Sequence, residues 1–170
     1  MRRVASKEAR AKQSASLIRE RFEERYMNTI NQICAFMENR PGQLLEMIKI
    51  LSSNGIDLRA LNVAESENYG VLRFICDDAE AALELLKENG YIASKNEVCA
   101  IAVPDRPGGL EELLSIFAAD GVDIAYMYSV FSFAGGKAHM IICAKDADSL
   151  RASIEKNNIA TANNELLGIK

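Results

Sequence analysis

The sequence predicts an α+β fold of two packed βαββαβ units, each an antiparallel four-stranded sheet with two helices on one face. Three observations predict it. First, "NRPGQLLEMIKILSSNGID" (Asn39–Asp57) and "DRPGGLEELLSIFAADGVD" (Asp105–Asp123) align without a gap, with Arg, Pro, Gly, Leu, Glu, Ile, Gly and Asp repeated in place. A repeat of this kind fixes the architecture before any local assignment. Second, each copy carries apolar runs of strand length and apolar patterns of helical period in the same order. Third, 170 residues with 49% hydrophobic content suffice for a folded core.

The elements follow in order. The opening strands are the uncharged runs Ile33–Met37 and Val98–Val103, bounded by turn residues. Each runs into an Arg-Pro-Gly loop. Leu44, Leu45, Ile48 and Leu51, and in the second copy Leu110, Leu113, Leu114 and Phe117, recur at helical spacing and predict one buried face each. Gly55 and Gly121 close those helices, where a left-handed residue is wanted. Second strands are predicted at Asp57–Ala64 and Asp123–Phe133. The turns "ESENYG" and "SFAGGK" lead to third strands at Val71–Cys76 and Ala138–Cys143. Second helices are predicted at Ala79–Glu88 and Ala147–Lys156, stopped by Asn89-Gly90 and Asn157-Asn158. Short last strands at Tyr91–Ser94 and about Ala160–Leu167 complete the units.

Residues 1–26 fall outside the repeat. They hold eight Lys/Arg and four Asp/Glu, a net of +4, and the remainder of the chain carries −8. Three readings of this basic segment stay open: a helical arm with Leu17, Ile18, Phe22 and Tyr26 as its stripe, a disordered tail, or a stretch upstream of a true start at Met27. The predicted division is an arm over 1–28, a first unit over 29–95 and a second over 96–170.

An acidic body repels phosphate backbones and anionic membranes, which argues against nucleic-acid and membrane partners. No apolar run approaches the roughly 20 residues needed to cross a bilayer. Met1-Arg2-Arg3 is not followed by the apolar core of a signal peptide, so a cytoplasmic location is expected. Cys34, Cys76, Cys99 and Cys143 each sit in a strand-like run without metal-ligand spacing, and are expected to be reduced structural thiols. No metal site and no cofactor are expected. "GGKA" (Gly135–Ala138) lacks the spacing of a phosphate loop. His139 has no acid or nucleophile beside it in sequence and reads as a strand residue. Strand alternation puts Tyr126 and Tyr128 on one face and Met127 on the other. No positioned base, nucleophile or metal set points to an enzyme.

Tandem βαββαβ units, each with N/D-R-P-G-x-L after the first strand and a helix closed by G-[IV]-D, resemble ACT domains. "GVLRFICDD" (Gly70–Asp78) and "VDIAYMYSVF" (Val122–Phe131) strengthen the likeness to stand-alone proteins of two ACT units. The resemblance covers about residues 31–168. It implies ferredoxin-like units, a non-catalytic regulatory role, a free amino acid as ligand, and homodimerisation, with a partner enzyme as the output. It places the ligand where two units meet, between the loop after the first strand of one and the second strand of its neighbour. On this chain those loops are Asn39, Arg40, Pro41, Gly42, Gln43 and Leu44, and Asp105, Arg106, Pro107, Gly108, Gly109 and Leu110. The strand positions are near Leu61 and Met127. Leu44, Leu61, Leu110 and Met127 suggest an apolar lining and so an apolar ligand side chain. An alternative is an obligate regulatory subunit of an amino-acid biosynthetic enzyme, such as the small subunit of acetolactate synthase; the close repetition of Arg-Pro-Gly in the second half counts against it.

The loop chemistry suits such a ligand on its own terms. A helix start offers unpaired N–H groups and a partial positive charge to a carboxylate. Proline stiffens the loop, and glycine lets a ligand approach the backbone. Asn39 or Asp105 can accept from an ammonium. A second reading of the same residues stays open, in which Asn39 and Asp105 are helix caps and each Arg-Pro-Gly is only a tight turn.

Overall fold

A computed structural model describes residues 29–65, 69–131 and 137–170. The readings of residues 1–26, of the arm boundary at 28 and of the two hairpin turns fall wholly or partly outside the described residues. Strands β1 (Thr29–Glu38), β2 (Leu58–Glu65), β3 (Tyr69–Cys76), β4 (Ala93–Pro104), β5 (Ile124–Ser129) and β6 (Lys137–Ala144) form one antiparallel sheet in the order β2-β3-β1-β4-β6-β5. Helices α1 (Gln43–Ser53), α2 (Ala79–Glu88), α3 (Gly109–Ala119) and α4 (Ala147–Lys156) cover it, and a short α5 (Asn164–Leu167) follows. The α+β class and the βαββαβ order are those read from the sequence. Both second helices have the expected bounds, capped by Asp78, which accepts from Ala81 N–H, and by Asp146, which accepts from Asp148 N–H.

The expected pair of four-stranded sheets is instead one six-stranded sheet. The last strand of the first half and the first strand of the second are a single 12-residue strand, β4. The joining residues Lys95, Asn96 and Glu97 include no glycine or proline, so nothing turns the chain. The N-terminal part of β4 pairs with β1 (Ala35 opposite Ala93, Thr29 opposite Cys99), and its C-terminal part pairs with β6 (Cys99 opposite Ile142, Pro104 opposite Lys137). The last strand expected at Ala160–Leu167 is reduced to a bridge of Thr161 to Ile101, flanked by Ala102 N–H to Ala160 O and Ala162 N–H to Ala100 O. Asn163 then caps α5 by accepting from Leu166 N–H, which turns the chain out of the sheet.

Three apolar clusters hold the layers. Phe74, Leu72, Met47 and Leu51 lie between the first half's strands and its helices, and Phe117, Ile101, Ile142 and Ile154 do the same in the second half. The third cluster, with Ile75, Val98, Tyr128 and Ile141, lies on the opposite face of the sheet, between the halves. Burying each large apolar side chain contributes about 1.5–3 kcal/mol. The sheet curls around this inner cluster until its two edges meet, with Ala60 bridging Val130 and Phe131 N–H donating to Arg59 O at 2.8 Å. The C-terminal residues tie the second half back to the first. Lys170 N–H donates to Asp77 O at 2.8 Å, and the Arg59 guanidinium donates to Gly168 O at 3.1 Å.

Leu51, Leu113 and Phe117 are buried as expected, but each buried face begins one residue earlier than expected. Gln43, Met47 and Leu51 are the buried set of α1, and Gly109, Leu113 and Phe117 that of α3. Leu45 and Leu110 point outward, 57% and 39% exposed. The reason is the register of the glycine corner: each helix starts at the residue after the left-handed glycine, and that first residue faces the sheet. Among the described residues, no helix is long and apolar enough to cross a membrane.

Candidate functional site

The two Arg-Pro-Gly corners have nearly the same backbone. Gly42 (φ 88°, ψ −14°) and Gly108 (φ 85°, ψ −13°) are the residues that precede their helices. Their φ lies in the left-handed region, which favours glycine. Gln43 N–H reaches Arg40 O at 3.2 Å, and Gly109 N–H reaches Arg106 O at 3.0 Å. Because the capping residue is glycine, no side chain caps either helix. Asn39 and Asp105 stand three residues further back, so the reading of them as caps does not hold. A Cβ added at Gly42 or Gly108 would meet nothing within 4 Å, so the space over each first helical turn is open.

The arginines of the loops are already engaged. Arg40 makes a two-pronged contact with Glu46 (2.8 and 3.2 Å) and touches Glu38 at 3.0 Å. Arg106 holds both oxygens of Glu112 at 2.8 Å. Each pair clips a loop to its own helix, and the hydrogen bonds from Arg40 hold the Glu46 carboxyl below its ordinary range. All four side chains are exposed, so each pair shapes its corner more than it stabilises the fold.

The corners differ in what surrounds them. The first opens on a cleft of about 330 Å³ lined by Phe36, Met37, Glu38, Arg40, Gln43, Tyr69, Gly90, Tyr91 and Ile92. Gln43 is 4% exposed and donates its amide to the Tyr91 hydroxyl at 2.9 Å. The backbone bond from Phe36 N–H to Ile92 O recurs in the second half as Ala102 N–H to Ala160 O, which identifies the equivalent positions. There Ala102 replaces Phe36, Pro104 replaces Glu38, Gly109 replaces Gln43, and Ile159 and Ala160 replace Tyr91 and Ile92. Gly109 also has no room for a side chain: an added Cβ would lie 2.1 Å from Pro104 O.

The structure does not gather all the residues named from the sequence. Asn39, Arg40, Pro41 and Gly42 lie exposed at the first corner, and Asp105, Arg106, Pro107 and Gly108 at the second. Leu44 and Leu61 pack on the first helical core and Met127 on the second. β1 and β4 are antiparallel, so the corners lie beyond opposite ends of β4, on the order of 40 Å apart. No pocket using both loops can form within one chain. Tyr126 and Tyr128 face the junction of the halves, and Met127 the helices, as strand alternation requires. His139 is a buried residue of β6 whose carbonyl accepts from Val130 N–H at 2.9 Å.

Phe36, Tyr69, Tyr91 and Ile92 were not legible as cleft residues, since they come from separate elements. The one signal available was the repeat itself, in which Phe36 and Tyr91 are aromatic only in the first copy. The four cysteines are free thiols, and burial pushes Cys76 up to about 12 and Cys99 to about 11. Among the described residues, no cluster of His, Cys, Asp and Glu is placed to hold a metal ion.

Comparison with known proteins fits this architecture. A family model described as an ACT domain pair matches residues 28–169. A protein of Bacteroides thetaiotaomicron with a solved crystal structure is 31% identical, with a TM-score of 0.74, over 82% of this chain and 96% of its own. The ligand-free regulatory subunit of aspartate kinase from Thermus thermophilus shares the fold at 18% identity and a TM-score of 0.53, over 76% of this chain and 92% of its own. A search of curated proteins finds no match. ACT units are regulatory, non-catalytic modules, and no catalytic family is indicated. With its repeat, its two halves of matching element order and its matched length, this chain belongs to the family of ACT domain pairs.

Proposed function

We propose that this ACT domain pair is a cytoplasmic, homodimeric regulatory protein that binds a free amino acid at its first Arg-Pro-Gly corner. The units of the proposal are residues 29–95 and 96–170, with 1–28 as an arm. The observation that carries it is the cleft beside the open N-terminus of α1, which has no counterpart with the same lining at the second corner. A ligand carboxylate would take the first-turn N–H groups of α1. Glu38 or Asn39 would accept from the ammonium, and Phe36, Tyr91 and Ile92 offer an apolar wall for the side chain. The neighbouring unit's second strand would come from another copy of the chain, because Tyr126–Tyr128 of the same chain lie at the inner junction. Phe36, Tyr69 and Ile92, exposed by 51%, 63% and 73%, form the rim such a copy would cover.

A thermal-shift screen of the twenty amino acids tests this reading. A ligand at 100 times its Kd should stabilise the protein by about 2.7 kcal/mol. Ile92→Glu, which places an acid in the cleft, should abolish the shift, and Ala160→Glu at the equivalent place of the second half should leave it intact. If no amino acid moves the midpoint at millimolar concentration, the reading fails. The same exposed rim would also suit the obligate-subunit alternative; a chain that is a stable, ligand-responsive dimer alone decides against that.

A further inference from the structure

Five arginines lie among the described residues. Arg40, Arg59, Arg106 and Arg151 each hold a carboxylate at 2.8–3.2 Å. Arg73 forms no ion pair among the described residues. It belongs to β3, half-buried, and its register neighbours are Cys34 of β1 and Asn62 of β2, neither of which carries a charge. Its guanidinium lies over the ring of Tyr126, with Cζ 4.3 Å from the centroid. Tyr126 comes from the second half, so this contact spans the junction between the halves.

The platform beneath Arg73 is built. Gln32, fully buried, donates its amide to the Tyr126 hydroxyl at 2.7 Å and to Asn96 Oδ1 at 3.0 Å, and accepts from the Tyr128 hydroxyl at 2.7 Å. These bonds fix Tyr126, and the guanidinium carbon of Arg73 lies over that fixed ring. On the other side of Arg73, the same sheet face carries Val71 and Phe36, which are register partners. Phe36 is half exposed there. The result is a cation held over a fixed ring beside an apolar shelf. A permanently charged guanidinium drawn partly out of water without a counter-ion is costly, and its planar fork matches a carboxylate.

We propose that Arg73 anchors a second small-molecule site at the junction of the halves, taking a monocarboxylate with an apolar tail. The carboxylate meets the fork of Arg73 in a two-pronged contact. The tail lies on Val71 and Phe36. Since Arg73 and Phe36 belong to the first half and Tyr126 to the second, occupancy bears on how the halves sit together. This goes beyond the corner proposed above; it shares Phe36 with that cleft but does not need the corner to bind anything.

The probe is phenylacetate, with neutral phenylacetamide as its control, titrated into the full chain. The readout is the arginine Nε–Hε resonances by NMR, with that of Arg73 identified by its loss in Arg73→Lys. The Arg73 resonance should move saturably with phenylacetate and stay still with phenylacetamide. Arg73→Met should abolish binding measured by calorimetry. Arg73→Lys, which keeps the charge and loses the fork, should weaken it by about tenfold and serves if the methionine variant does not fold. Gln43→Ala, which removes the Tyr91 bond at the corner, should leave the response unchanged. The proposal is overturned by no saturable shift, by an equal response to the amide, or by binding that survives Arg73→Met. Loss of the response in Gln43→Ala would place the carboxylate at the corner and also overturn it. An Arg73 resonance that moves on dilution without probe would mean that another copy's acidic side chain neutralises it, which overturns it as well.

Discussion

The two Arg-Pro-Gly corners share a backbone and differ in their surroundings. Both have a left-handed glycine before the helix, and both have an arginine clipped to a glutamate six residues on. Only the first has Phe36, Gln43, Tyr91 and Ile92 around it; the second has Ala102, Gly109, Ile159 and Ala160. The repeat therefore preserves what makes the turn and varies what a ligand would touch. An Arg-Pro-Gly motif in this chain reports a corner, and its neighbours decide whether the corner can read a molecule.

Substitutions can break or sharpen this contrast. The largest effect is expected at the helix start. Gly109→Ala drives a Cβ into the Pro104 carbonyl, a backbone atom that cannot step aside, and should cost about 1–3 kcal/mol despite alanine's better helix propensity. A urea titration that finds Gly109→Ala neutral would show that the second corner is as roomy as the first. Gly42→Ala and Gly108→Ala meet no steric neighbour, only the cost of a left-handed alanine. Each should lose about 1–2 kcal/mol, to a similar degree. Unequal losses by the same measurement would mean that the corners differ in backbone strain as well as in lining. Gln43→Ala removes the bond to Tyr91 and should cost about 1 kcal/mol, with a larger effect on ligand response than on stability.

The smallest effect is confined to acid pH. Asp120 of the second half stands where the first half has Asn54. It accepts from Lys156, Ser153 and Asn157, which hold its carboxyl down at about 2. A depressed carboxyl stabilises the folded state fully above its unfolded value, near pH 4, and that contribution fades as pH falls through about 2. Asp120→Asn should flatten the stability profile between those values. An unchanged slope in urea midpoints measured across that range would rule out the tie between α3 and α4 as its source.

Local chemistry made much of the fold legible. The bounds of α2 and α4 follow from Asp78 and Asp146 as caps and from asparagine or glycine as stops, all within a few residues of the helix. The alternation that sends Tyr126 and Tyr128 inward and Met127 toward the helices is a property of any strand. The candidate site was legible only in part. The corners can be found because a motif repeats, but Leu61 and Met127, which the family resemblance puts beside them, lie in the helical cores. Leu45 and Leu110 looked like core residues by spacing, yet they are exposed because the corner glycine sets which residue begins the helix.

The sequence by itself determined the repeat, the order of elements, the glycine corners and the strand faces, since each depends on residues close together in the chain. Only the tertiary structure decided that two sheets become one through β4, that the corners lie at opposite ends, and that Phe36, Tyr69 and Tyr91 meet around one cleft. It alone sets Arg73 on Tyr126 with no acid paired to it among the described residues. These outcomes depend on which surfaces face one another across the fold, and spacing along a chain does not encode that.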